Sequence, residues 1–403
     1  GPLRGAPRSG GPTVRFPKRA TKPAAFGPQM RPKLKHLRPK LRAKRGILPD
    51  AERICRNAHS LFNEACMNET VLELCAGGGG QALGLEQAGF ATAAVAELDP
   101  FGCATLRLNR PEWRVLETDI RDIDGVNHRD IDLLAGGVPC PPFSVAGKRL
   151  GREDERDLFP EALRITRQAA PQAVLLENVQ GFSTGRFADY REWIRGELEA
   201  LGYRFFCRLL NASDFGVPQL RPRFLMVALR PEAADHFRWP ARRAKQVTVG
   251  EALADLMTEN GWPGALAWSG RANRIAPTIV GGSKKHGGPD LGPTRAKRQW
   301  AALGVDGMGI ANEAPGRDFP PEGSPRLTTR MVARLQGFPD DWIFSGRKTA
   351  AYRQVGNAFP PPVAHAVGDA IRAALRKETP APYHQDPDGQ MAFIEEHALR
   401  GME

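Results

Sequence analysis

Three short stretches of this chain carry residue types able to make and break bonds, and each lies against an apolar run. Residues 131–135 lead into Gly136-Gly137-Val138-Pro139-Cys140-Pro141-Pro142-Phe143-Ser144, and residues 173–176 lead into Glu177-Asn178-Val179. Gln219-Leu220-Arg221-Pro222-Arg223 stands just ahead of the apolar residues 224–229. A lone cysteine is most often a small core residue. Cys140, however, sits between prolines in a glycine-flanked loop, which suits a fixed and exposed nucleophile. Glu177, directly after four apolar residues, reads either as an exposed charge at a strand end or as a placed carboxyl. Two arginines at a spacing of two point the same way from an extended segment, so Arg221 and Arg223 could meet an anion or a carbonyl oxygen.

Such groups need a scaffold that brings strand ends together. Residues 70–74, 92–96, 131–135, 173–176 and 224–229 read as short buried strands, and 81–88, 158–168 and 189–201 as helices between them. That alternation predicts an α/β fold with a doubly wound, Rossmann-like parallel sheet. In such a sheet ligands bind at the carboxyl ends of the strands. The first strand runs into Cys75-Ala76-Gly77-Gly78-Gly79-Gly80, a strand-to-helix turn at which a ligand can approach the backbone. Glu97 follows the next strand, where a carboxylate can accept both ribose hydroxyls. Asp119 closes a third unit, a position suited to an adenine edge. Gly77, Gly79 and Ala82 also satisfy the dinucleotide pattern, so the loop alone leaves a nicotinamide cofactor and S-adenosylmethionine equally open.

The rest of the chain bounds the answer. With 403 residues there is room for one large α/β domain and a smaller one. The net charge of +12 comes from residues 1–45, which hold fourteen Lys or Arg and no acidic residue. The body beyond them is nearly neutral, so the overall charge is no evidence that the body binds nucleic acid. Residues 1–48 read as a basic tail, expected from composition to be disordered: either a nucleic-acid arm or, the reading we prefer, a solvated extension. The six cysteines are scattered with no C-x-x-C pair, which implies reduced thiols and no metal site. No apolar run is long enough to span a bilayer. Between 230 and 325 the α/β alternation breaks, Gly and Pro rise and basic residues cluster; helical patterns resume over 326–336 and 362–375.

In order along the chain, the glycine loop, Glu97, Asp119, the Pro-Cys loop, Glu-Asn-Val and Gln-x-Arg-x-Arg continue into Arg326-Leu327-Thr328, Gln336-Gly337-Phe338-Pro339 and Gln354-Val355-Gly356-Asn357-Ala358. Over residues 69–229 and 326–375 this series resembles the DNA (cytosine-5) methyltransferases, particularly the compact bacterial modification enzymes. The resemblance implies S-adenosylmethionine as cofactor, held by Cys75, Ala76, Gly77, Gly79, Gly80, Glu97, Leu98, Asp119, Ile120, Pro139, Leu158, Asn357 and Ala358. It implies base flipping and attack by Cys140 on carbon 6 of cytosine, which makes carbon 5 nucleophilic enough to take a methyl group. A protonated Glu177 at ring nitrogen 3, with Arg223 or Arg221 near the exocyclic oxygen, would stabilise the ring charge. The organisation implied is a tail (1–48), a catalytic and cofactor-binding domain (49–229, resumed at 326–376), a target-recognition domain (230–325) and a C-terminal tail (377–403). Ser144, Lys148, Arg149, Gln219, Lys284, Lys285, Arg295, Lys297 and Arg298 are the expected contacts to double-stranded DNA. The protein is expected to be a cytoplasmic bacterial monomer, working beside a cognate restriction endonuclease.

Two residues depart from the family pattern: Pro141 stands where Gln usually follows the nucleophile, and Cys75 where Phe is common. A transfer-RNA cytosine methyltransferase shares the core pattern, but the insert of about a hundred residues favours duplex readout. A catalytically silent relative is disfavoured by the intact Cys140, Glu177 and Arg223. Nothing after residue 97 supports a nicotinamide oxidoreductase.

Overall fold

The computed structural model describes residues 68–139, 157–242, 245–282 and 288–378, which fall within one compact unit, Cys66–Glu403. The chain begins with β1 (Thr70–Leu74), α1 (Gly80–Gln87), β2 (Ala91–Glu97), α2 (Pro100–Asn109), β3 (Val115–Glu117), β4 (Leu133–Gly136), α3 (Phe159–Ala169) and β5 (Ala173–Val179). It continues with α4 (Ala188–Ala200), β6 (Arg204–Asn211), β7 (Pro222–Leu229) and α5 (Pro231–Ala234). Then come α6 (Val249–Thr258), α7 (Ala265–Arg271), α8 (Thr294–Ala301), α9 (Thr329–Leu335), α10 (Lys348–Asn357) and α11 (Pro361–Leu375). Among the described residues no helix is long and apolar enough to cross a membrane.

The strands form one seven-stranded sheet in the order β3-β2-β1-β4-β5-β7-β6. Strands with both faces covered must be apolar on both faces. Leu72, Leu74, Leu134, Val174 and Leu176 accordingly pack with Phe159, Leu163, Ile194 and Leu198 of α3 and α4. On the opposite face Val71, Leu133, Leu175, Val227 and Leu229 pack with Leu85 of α1 and Val363, Val367 and Ile371 of α11. A third cluster joins Leu83 and Leu106 to Val249, Leu253, Trp268 and Trp300 of α6–α8, and to Leu327, Met331, Leu335 and Val355 beyond. The insert thus shares an apolar core with the sheet's own helices.

The order of connection places the site. The chain runs outward from β1 to β2 and β3, then returns to β4 on the other side of β1, with Leu74 level with Gly136. The two loops that leave β1 and β4 therefore emerge side by side, where open α/β sheets bind ligands. β5 is the next strand, with Gly136 level with Leu176, so Glu177 comes out beside the Pro-Cys loop.

The sheet is not parallel throughout, as the alternation had suggested. β7 runs antiparallel to both β5 and β6. Residues 212–221, between β6 and β7, are too few for a crossover helix, so the chain turns back as a hairpin. Val179 is consequently level with Arg223, and the start of β7 reaches the carboxyl edge of the sheet.

Candidate active site

The glycine loop leaves β1 through residues in the left-handed region: Cys75 at φ 56°, Gly77 at 57° and Gly79 at 85°. The Glu97 carboxylate, at the end of β2, accepts the Gly77 N–H at 2.7 Å and the Asp99 N–H at 2.6 Å. A Cβ added to Gly77 would meet nothing within 4 Å, so the loop fronts open space. Leu98 beside Glu97 is 62% exposed, unusual for an apolar side chain in a formed site. Asp119 accepts the Arg121 N–H at 3.0 Å and pairs with that guanidinium at 2.8 Å, ahead of buried Ile120. Burial pushes the Cys75 thiol up to about 12, and Glu97, Asp119 and Glu73 act in the same direction. Cys75 and Leu158 pack against the same apolar cluster. Asn357, at the end of α10, donates to the Gly282 carbonyl at 3.2 Å, with buried Ala358 next to it.

These residues fit S-adenosylmethionine better than a dinucleotide. The Gly77 amide, which could face a pyrophosphate, is taken by a carboxylate. The carboxylates of Glu97 and Asp119 would repel phosphates and attract a cationic sulfonium. The open front of the loop and exposed Leu98 offer a flat apolar surface to an adenine.

At the neighbouring strand ends, Glu177 and Arg223 form a nearly buried pair, Oε1 to Nε 2.7 Å. Burial pushes the Glu177 carboxyl above its ordinary range, against the pull of Arg223 and Arg221. Burial likewise lowers Arg223, against the pull of Glu177. A Cβ on Gly137 would lie 3.3 Å from Glu177 Oε2, so the loop after β4 passes directly over the carboxyl. Asn178 donates from Nδ2 to the Val138 carbonyl at 3.0 Å. The chain two residues before Cys140 is therefore tied to the strand that bears Glu177. Pro139 is exposed at the end of that described stretch. Cys140, Ser144, Lys148, Arg149, Lys284 and Lys285 lie outside the described residues, as do residues 1–67 and 379–403.

Two expectations are corrected here. Gln219 is fully buried; its amide donates to the Leu335 carbonyl and to Gln336, and its Oε1 accepts the Ile279 N–H at 2.9 Å. No part of that side chain is left to touch DNA. Arg221 does not join Glu177: its buried guanidinium donates to the carbonyls of Ile279 at 2.7 Å, Gly356 at 2.8 Å and Ala358 at 2.9 Å. Both residues are struts that fasten the insert and the α10–α11 turn to the start of β7. Removing a buried multiple donor leaves its acceptors stranded. Arg221→Met should therefore lower the unfolding free energy by about 3 kcal/mol, measured as a shift of the urea midpoint. A midpoint equal to that of the unaltered protein would contradict the strut.

Of the expected DNA contacts on α8, Arg295 and Arg298 are exposed, whereas Lys297 pairs with Asp290 at 2.9 Å. Sequence reasoning missed residues 276–282, the stretch that Gln219, Arg221 and Asn357 all grip, where Gly281-Gly282 is the local signal. Asn178 could have been found as the polar residue following Glu177.

Loops gathered at the reversal point of a Rossmann-like sheet, with a buried acid–arginine pair beside them, define a cofactor-dependent transferase. The family model for C-5 cytosine-specific DNA methylases matches residues 70–373, and the chain belongs to that family. It methylates carbon 5 of cytosine in DNA, with S-adenosylmethionine as the methyl donor. The type II methyltransferase M.NaeI of Lentzea aerocolonigenes is 56% identical over 312 residues, covering 76% of each chain. M.NgoMIV of Neisseria gonorrhoeae is 53% identical over 316 residues, 77% of this chain and 100% of that one. Among solved structures, a putative DNA modification methyltransferase encoded within an E. coli prophage shares the fold, with TM-score 0.52 and 21% identity over 77% of this chain and 100% of that one.

Proposed function

We propose that this chain is the modification enzyme of a type II restriction–modification system, methylating one cytosine in a short duplex sequence as a monomer beside a cognate endonuclease. The relatives named type II methyltransferases, and their level of identity, support the system. The observation that carries the chemistry is the Glu177–Arg223 pair at 2.7 Å beneath the loop that Asn178 ties down. S-adenosylmethionine, when bound, supplies an electrophilic methyl group. The Gly77 turn and Glu97 would hold it, with Leu98 and Asp119 at its adenine end. Cys140 would attack carbon 6 of a flipped cytosine. Glu177 would hold a proton at ring nitrogen 3, and Arg223 would face the exocyclic oxygen, both acting where charge accumulates. Once carbon 5 carries the methyl group, a base takes its hydrogen as a proton, the electron pair re-forms the ring double bond, and the Cys140 thiolate leaves.

Bisulfite sequencing of DNA from cells expressing the protein tests this directly: one short sequence should be methylated at one position throughout. Methyl transfer to transfer RNA and not to duplex DNA would overturn it.

Residues 230–325 are proposed as the target-recognition domain. Arg271, Arg274, Arg295 and Arg298 are its exposed described arginines nearest the sequence expectation. Most cationic contacts position the duplex on its phosphates, and one or two read bases. Alanine substitutions at these four, and at Lys284 and Lys285, should include one that costs about 1–3 kcal/mol and relaxes the site at one position. Bisulfite profiles with an unchanged site in every variant would place recognition elsewhere.

A further inference from the structure

We propose that Trp342, in the segment that returns after the insert, is a positioning residue for the cofactor loop. The inference rests on the reading of the glycine loop as the S-adenosylmethionine site. Trp342 is 5% exposed, and its indole N–H donates to the Gly78 carbonyl at 3.0 Å. The opposite end of that same peptide unit, the Gly79 N–H, donates to the Ala76 carbonyl at 2.9 Å. One peptide in the middle of four consecutive glycines is thus fixed at both its oxygen and its hydrogen. Behind the next residue the ring itself is a wall: a Cβ on Gly79 would lie 2.8 Å from Cζ2 of Trp342.

The indole is in turn held rigidly. Its ring centroid lies 6.3 Å from that of Trp113 and 6.0 Å from that of Phe338. The Arg110 guanidinium sits 5.2 Å from the Trp342 centroid and is fixed by Glu86 of α1 through hydrogen bonds of 2.9 and 3.0 Å. Gly78 is further backed by Phe344 and Gln354. Gln354 accepts the Thr105 hydroxyl at 2.6 Å, and that hydroxyl accepts the Ser345 N–H at 2.8 Å.

Glycine loses more conformational freedom on ordering than any other residue. A run of four that had to be ordered at each binding event would weaken affinity, and preorganisation removes that cost. Trp342 touches neither the acid–arginine pair nor the open front of the loop, so it acts through the loop alone. Its effect should fall on cofactor binding and leave the chemical step intact.

The test is calorimetric titration with S-adenosylhomocysteine, together with steady-state kinetics and melting. Trp342→Phe should bind about fivefold to tenfold more weakly, as loss of one pinning hydrogen bond implies. KM for S-adenosylmethionine should rise by the same factor, with kcat and KM for DNA within about twofold. Benzothienylalanine at 342 keeps the bicyclic shape and deletes only the N–H, and should behave alike even if the phenylalanine variant folds poorly. Trp113→Phe, in the same ring cluster but without the bond to Gly78, should lower the melting temperature without changing affinity. Unchanged affinity in both 342 variants, or an equal loss in Trp113→Phe, would overturn the proposal. Glu97→Ala checks the underlying reading separately, because unaltered binding in that variant would show that the glycine loop is not the cofactor site.

Discussion

A Cys140→Ala protein should lose methyl transfer by at least about a thousandfold, because in the proposed mechanism its thiolate activates carbon 5 and removal of a nucleophile is rarely compensated. The same substitution should abolish trapping by duplex DNA carrying 5-fluorocytosine in the target site. In the unaltered enzyme, attack of the thiolate on carbon 6 and methylation of carbon 5 proceed, but the fluorine cannot leave as a proton does. The sulfur–carbon bond then cannot be released, and a denaturation-resistant complex accumulates. The described chain stops at Pro139, one residue short of Cys140, and Asn178 fastens it there through the Val138 carbonyl at 3.0 Å. Equal trapping by Cys140→Ala and the unaltered protein, read on a denaturing gel, would remove Cys140 from the chemistry.

Glu177→Gln should lower kcat by roughly 10²–10⁴-fold, the range for loss of a positioned acid. The glutamine keeps a hydrogen-bonding shape beside Arg223 but has no acidic proton to hold at the ring. Burial places the Glu177 pKa above its ordinary 4.5. A rate that needs the protonated carboxyl should fall as pH rises through that raised value, and the glutamine variant should lack this alkaline decline. The stability effect has the matching sign. A folded-state pKa above the unfolded one contributes stability that is fully present below about 4.5 and is lost as pH rises through the folded value. Relative to the unaltered protein, Glu177→Gln should therefore melt comparatively better at neutral pH than in acid. Identical pH–rate profiles for the two proteins would exclude Glu177 as the acid. Glu177→Ala should be worse than glutamine in stability as well, since it leaves the Arg223 guanidinium buried and unpaired.

What the sequence made legible were features that depend on local pattern. The continuous apolar runs at β1, β4 and β5 announced strands covered on both faces, and residues directly after them proved to share one sheet edge. The edge strands were not recognised. β3 has only three residues, and β6 is mostly half-buried, with Arg204 and Arg208 framing its apolar stretch, so neither shows a buried run. The antiparallel course of β7 follows from a short link, which an apolar count does not register. Arg221 and Arg223 would point the same way only if one extended segment carried both. β7 begins at Pro222, so Arg221 lies in the preceding turn and points elsewhere. Trp342 was invisible for a different reason. Its partner at Gly78 is 264 positions away in the chain, and only the tertiary fold closes such a distance.

The apolar cluster that joins α6–α8 to α9, α10 and the first helices of the sheet has a consequence for transplanting specificity between relatives. Cuts at 230 and 325 would separate Val249, Leu253, Trp268 and Trp300 from Leu327, Met331, Leu335 and Val355, the side chains against which they are buried. They would also divide the Arg330–Glu259 ion pair at 3.0 Å and the Gln219 and Arg221 bonds to Ile279. A graft bounded that way inherits one half of a close-packed interior and must match the other half of its host. Any such exchange must therefore rebuild this shared interior on both sides of its cut points.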